Sequence, residues 1–134
     1  MGQPFVGEIR MAGFNFAPVN WAMCAGQLLP ISENDTLFNL IGTTFGGDGQ
    51  STFALPDLRG RFPVHQGLGP GLSSRVIGEK SGSPTASVNL QATNRVTGSG
   101  SAAYVATSNS IPVQSPYLTI TMIISLFGIF PSQN

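Results

Sequence analysis

Near its C-terminal end the chain alternates, with Leu118, Ile120, Met122, Ile124 and Leu126 set between Thr119, Thr121 and Ser125. Successive side chains of a strand point to opposite faces, so this spacing predicts a C-terminal strand at about 117–127. A strand of this kind buries its apolar face only against further strands and a covering layer. A shorter alternation supplies a first strand over residues 5–11, with Phe5, Gly7, Ile9 and Met11 on one face and Glu8 and Arg10 on the other. A helix at about 33–41 supplies the cover. Ser32 and Asp35 have capping-box spacing, Leu37, Phe38, Leu40 and Ile41 form one apolar face, and Gly42 suits the closing conformation. The helix is expected to dock on a sheet that contains the last strand, with Phe38 fully buried.

Elsewhere the text is punctuated by turns. Residues 12–27 hold Gly13, Pro18 and Gly26 but also Phe14, Phe16, Trp21, Met23 and Cys24, which predicts short pieces folded over the core with Trp21 as an anchor. Pro56 and Gly60 argue against a central strand in FALPDLRGR, and Gly67, Gly69, Pro70 and Gly71 mark another turn. Residues 81–110 carry Arg95 as their one charge beyond position 80 and are otherwise rich in Ser, Thr, Gly, Ala and Asn. Such composition suits a linker, yet Val88, Leu90, Val96, Tyr104 and Val105 run through it and favour short ordered strands. The fold class is therefore α+β: short-stranded, loop-rich, with one principal helix. The length suits a single domain spanning 1–134, with residues 81–110 as a Ser/Thr/Gly-rich insertion ordered as β structure in an assembly.

Charge narrows the function. Only 9% of residues are charged, and six basic and six acidic side chains cancel. No basic face exists to follow a phosphate backbone, so nucleic acid is not an expected partner. A neutral, weakly charged surface favours association with its own copies. The stretch from Leu118 to Phe130 is too short and too interrupted for membrane insertion. No basic region followed by an apolar run marks a secretory leader at the start of the sequence, so release by lysis or within a larger particle is expected.

Chemistry-bearing residues are few. His65 is the one histidine and Cys24 the one cysteine, so neither a triad nor a Cys/His metal site can be assembled within the chain. Glu33 and Asp35 suit a helix N-terminus better than acid–base work, and Asp48 in GGDG lacks the alternating ligands of a calcium loop. Asp57, Arg59 and Arg61 form the one tight charge cluster, read as an ion-paired network that pins a loop. These observations predict no catalytic residue, no cofactor and no metal.

Three stretches in order carry a resemblance: WAMCAGQLLPI from Trp21 to Ile31, LFNLIGTTFGGDG, and FALPDLRGR. With PYLTITMIISLFGIFPSQN at the end, they make the chain similar to the phage tail-collar family, which includes short tail fibres and microcystin-dependent proteins. The resemblance implies a structural motif of Trp21, Cys24, Gly26, Pro56, Asp57, Arg59, Gly60 and Arg61, a structural role, and location in a virion or extracellular particle. It also implies homotrimers or filaments, with other tail or particle proteins as further partners. Relatives carry an H-x-H element after a G-E-x-G-G turn that can bind metal on a three-fold axis. Here Gly78, Glu79, Lys80, Ser81 and Gly82 are followed by no histidine, so that site does not carry over. Val88, Leu90, Val96, Tyr104 and Val105 are the expected self-assembly residues. Two other readings stand beside the tail module: a cellular extracellular fibre subunit on the same fold, and an adhesin that meets a surface glycan through Tyr104, Tyr117 or Asn side chains.

Overall fold

A computed structural model describes residues 2–90 and 107–133. Its elements are β1 (Ile9–Ala12), β2 (Trp21–Met23), β3 (Leu28–Pro30), a 3₁₀ turn (Ile31–Glu33), α1 (Asp35–Ile41), β4 (Thr52–Ala54), β5 (Thr85–Leu90), β6 (Thr107–Pro112) and β7 (Thr121–Ser125). The chain forms two compact units, Met1–Lys80 together with Thr119–Asn134, and Ser81–Leu118. With short strands, long turns and one α-helix among the described residues, the α+β class is observed.

In the first unit the last strand lies in the middle of a three-stranded antiparallel sheet ordered β1-β7-β2. Ile9 pairs with Ile124 and Ala12 with Thr121 on one side, and Trp21 pairs with Ser125 on the other. β7 is hydrogen-bonded along both edges, and its successive residues Ile123, Ile124 and Ser125, which alternate between its two faces, are all buried. The buried Ser125 hydroxyl donates to the Phe127 carbonyl at 2.6 Å, so the polar group is satisfied. The strand is shorter than the span 117–127. Leu118 and Ile120 precede it and are exposed.

The first strand begins at Ile9 rather than Phe5, because a turn intervenes and Phe5 instead bridges in parallel to Ile129. Ile9 and Met11 share the sheet face of Ile124 and Met122, as their pairing requires, but β1 is an edge strand and they stay 40% and 72% exposed. Phe14 and Phe16 are exposed too, their rings in tilted contact at 34° with centroids 4.9 Å apart.

The helix starts two residues later than expected and its N-terminus is built differently. The chain leaves Pro30 extended and enters a 3₁₀ turn that absorbs Ser32, so Asn34 takes the N-cap position and no side-chain cap forms. Asn34 uses its amide to donate to the Pro30 carbonyl, and the Asp35 carboxylate accepts from the Thr36 N–H. Gly42 closes the helix with φ 54° and donates to the Phe38 carbonyl. Leu37 enters a buried cluster with Val6, Cys24, Phe53, Leu55 and Ile124, and Phe38, Leu40 and Ile41 pack half-buried against it. The helix face thus meets the last strand, but Phe53, not Phe38, is the fully buried aromatic residue.

In the second unit β5 and β6 form a two-stranded antiparallel sheet running from Thr85 opposite Pro112 to Leu90 opposite Thr107.

Candidate functional site

The signature residues assemble into one antiparallel ladder. β3 and β4 pair Leu28 with Ala54 and Pro30 with Thr52, and the same register continues beyond the strands to a bridge between Ala25 and Asp57. Leu55 N–H donates to the Gln27 carbonyl, Gly26 N–H to the Pro56 carbonyl and Leu58 N–H to the Cys24 carbonyl. Pro56 has no N–H to give, so it sits where the ladder needs only its acceptor. Gly26 (φ 71°) lies under Asp57, and a Cβ there would come within 3.0 Å of the Asp57 side chain. Only glycine combines that backbone angle with that clearance.

The ladder aims Asp57 at Arg59. Arg59 Nε donates to Oδ1 at 2.8 Å and Nη2 to Oδ2 at 2.9 Å, a two-pronged ion pair, while the Arg59 N–H also reaches Oδ1. The Arg59 guanidinium, through its hydrogen bonds above all, holds the Asp57 carboxyl well below the usual carboxylate range. The Arg61 N–H bonds the Leu58 carbonyl and closes a turn at Gly60. Trp21 stands apart in β2, half-buried, with the Arg10 guanidinium 5.3 Å from its ring centroid. Arg10 in turn pairs with Glu8 at 3.2 Å.

The remaining candidates are engaged structurally. The Asp48 Oδ1 accepts the N–H groups of Gln50, Ser51 and Thr52, each at 2.9 Å, and these bonds hold its carboxyl well below the usual range. Cys24 is buried, and burial pushes its thiol up to about 11, which keeps it protonated and inert. His65 is exposed. Among the described residues no three His, Cys, Asp or Glu side chains come together. A shallow groove is lined by Gln3, Pro4, Val19, Asn20, Trp21, Phe127 and Gly128, none of which titrates. Among the described residues no helix is long and apolar enough to cross a membrane.

Of the expected self-assembly residues, Val88 lies opposite Asn109 and Leu90 opposite Thr107 on the β5–β6 hairpin. Val96, Tyr104 and Val105 lie outside the described residues. Sequence reasoning passed over one feature. Residues 61–77 run exposed with Phe62, Val64, Leu68, Leu72, Val76 and Ile77 all more than half uncovered. Their signal was the density of large apolar side chains in a stretch whose Pro63, Gly67, Gly69, Pro70 and Gly71 forbid a continuous buried strand.

In this loop-rich α+β unit the signature residues form turns, an ion-pair clamp and a backbone ladder. Residues 7–63 match the family model described as Phage Tail Collar Domain, which supports the resemblance to that family. That domain implies a structural, virion-associated protein of the tail-fibre type. No curated protein matches the chain.

Proposed function

We propose that the chain is a non-enzymatic structural subunit of a phage tail or phage-like extracellular particle, and that it self-assembles through β-contacts of its hairpin unit. The observation that carries this reading is the β5–β6 sheet. Its strands, TASVNL and TSNSIP, contain no charged residue, and each pairs with the other alone among the described residues. A lone two-stranded sheet is marginal in water. Its outer edges carry unpaired backbone groups, and no lysine or other charge blocks addition of a further strand. Copies of the same hairpin supply such strands. The buried thiol of Cys24 and the absence of titrating groups in the Trp21 groove support a role without catalysis. Exit with the particle or by lysis accompanies this role.

Negative-stain microscopy of the purified protein tests the reading. Closed trimers indicate a tail module, and open filaments indicate a fibre subunit, since a rotation that does not close generates a helix. Deleting residues 87–105 is expected to leave a folded collar core that no longer assembles. Monomers at every concentration would overturn the proposal.

A further inference from the structure

We infer that the groove beside Trp21 is a binding site for one neutral sugar ring of a surface glycan. The inference goes beyond the assembly reading, because it concerns the first unit alone and holds for a single copy. It also sets the sugar at residues other than Tyr104 and Tyr117.

Backbone ties build the groove from both sides. On one side the Ile129 N–H donates to the Pro4 carbonyl at 3.0 Å and the Val6 N–H to the Ile129 carbonyl at 2.9 Å. On the other the Leu126 N–H donates to the Asn20 carbonyl at 2.9 Å, and Trp21 pairs with Ser125 in the sheet. Both walls therefore hang from the stretch 125–129. Gly128 (φ 144°) lies so close to Pro4 that a Cβ there would collide with the Pro4 carbonyl oxygen. With the walls tied in this way, little ordering is left to oppose binding.

Asn20 has φ 70° and is the one non-glycine residue with a left-handed backbone among the described residues. Glycine holds such a turn without strain, and asparagine is one of the few other residues that accept it. What asparagine adds is a side-chain amide in the lining of the groove.

The polar groups of that lining are unspent. Among the described residues neither the side-chain amides of Gln3 and Asn20 nor the Trp21 indole N–H makes a hydrogen bond. Gln3 and Asn20 are exposed, Trp21 is half-buried, and no buried side-chain polar atom lacks a partner, so all three groups reach solvent. Each amide offers two donors and an acceptor, and the indole one donor. Beside them lies the apolar surface of Trp21, Pro4 and Phe127.

This combination selects the occupant. A purely apolar ligand would strip water from the amides and the indole and leave them unpaired. An anionic ligand finds no cation in the lining, and Arg10, which lies over the Trp21 ring at 5.3 Å, is already paired with Glu8. A pyranose has both characters that the groove asks for. Its C–H face lies flat on an aromatic ring, and its neutral hydroxyls donate to and accept from amides. The groove volume of about 170 Å³ falls below the roughly 300–1,000 Å³ of drug-sized sites. It takes a single ring, with the rest of the glycan outside.

The test uses the full chain, with its one tryptophan as reporter. Free glucose, galactose and N-acetylglucosamine are titrated singly, with glucuronic acid as the anionic control. At least one neutral sugar is expected to give a saturable change in Trp21 fluorescence at millimolar concentration. Asn20→Gly keeps the left-handed backbone and removes the amide, so binding should weaken about threefold to tenfold with no fall in melting temperature. Gln3→Ala, at an exposed position, should weaken it similarly from the other wall. No saturable change with any neutral sugar would overturn the inference. So would binding that both variants leave intact, or a preference for glucuronic acid. An apolar peptide that saturates the groove where every sugar fails would equally refute it. None of these readouts requires assembly, so failure here leaves the assembly reading standing.

Discussion

Replacing Phe53 by alanine tests the core most directly. Phe53 is fully buried, belongs to the cluster of Val6, Cys24, Leu37, Leu55 and Ile124, and meets the Phe38 ring at a centroid distance of 5.5 Å and an interplanar angle of 54°. Truncating a buried phenylalanine costs about 3–5 kcal/mol, the lost transfer energy plus the cavity left behind. Phe38 is only half-buried, so Phe38→Ala is expected to cost less, about 1.5–3 kcal/mol. Their tilted rings should couple by about 0.5–1.5 kcal/mol in a double-mutant cycle. Urea unfolding followed by the fluorescence of Trp21, the one tryptophan, reads these values. With a slope of about 1–3 kcal/mol per molar urea, a loss of about 4 kcal/mol lowers the midpoint by roughly 1.3–4 M. Protein concentration must be held equal across variants, because association adds to apparent stability. Domains of this size hold about 5–15 kcal/mol in all, so Phe53→Leu, with an expected cost below about 1.5 kcal/mol, guards against outright unfolding. A Phe53→Ala loss below about 1 kcal/mol, or no coupling to Phe38, would show that the helix and β4 do not share this core.

Four further outcomes are expected. Asp48 and Asp57 have carboxyls held below their ordinary range, so their stabilisation is complete above about pH 5 and is lost as pH falls through about 4 and below; Asp48→Asn should flatten the fall of the unfolding midpoint between about pH 5 and 2. Gly26→Ala should cost about 1–2 kcal/mol from the left-handed backbone alone and more from contact with Asp57, read as a melting temperature several degrees lower. Cys24 should resist iodoacetamide at pH 8 in the folded protein and react in urea; rapid labelling of folded protein would contradict its burial. Chelators should leave assembly unchanged, whereas a stoichiometric transition metal found by elemental analysis would direct attention to His65 on a symmetry axis.

Particular residues show what the sequence made legible. The helix face of Leu37, Phe38, Leu40 and Ile41 and the strand around Ile124 were readable because periodicity reports burial. The N-cap was not, because Pro30 and the 3₁₀ turn that follows it consumed Ser32 before α1 began. Nor could alternation alone reveal that Met11 lies uncovered. Parity fixes its face, but exposure depends on β1 being an edge, which is a matter of topology. The role of Gly26 beneath Asp57 depends on a pairing across some thirty positions, for which local patterns carry no signal. The exposed apolar side chains of residues 61–77 had no legible pattern for a related reason: the glycines and prolines between them break any periodicity that would report burial or exposure.

The place of β7 at the centre of its sheet has a consequence for biosynthesis. Ile9 cannot meet Ile124, nor Trp21 meet Ser125, until the chain through residue 125 has left the ribosome. The nascent protein must therefore wait, with β1 and β2 both unpaired, for the strand that joins them. Contacts so distant in sequence make for slow closure. They also leave the intervening segment free to change in length, because doubling a flexible loop adds only about 0.6 kcal/mol to the entropy of joining its ends. The unit between Lys80 and Thr119 is thus a place where a lineage, or an engineer, can exchange one insertion for another while the same first and last strands close the same sheet.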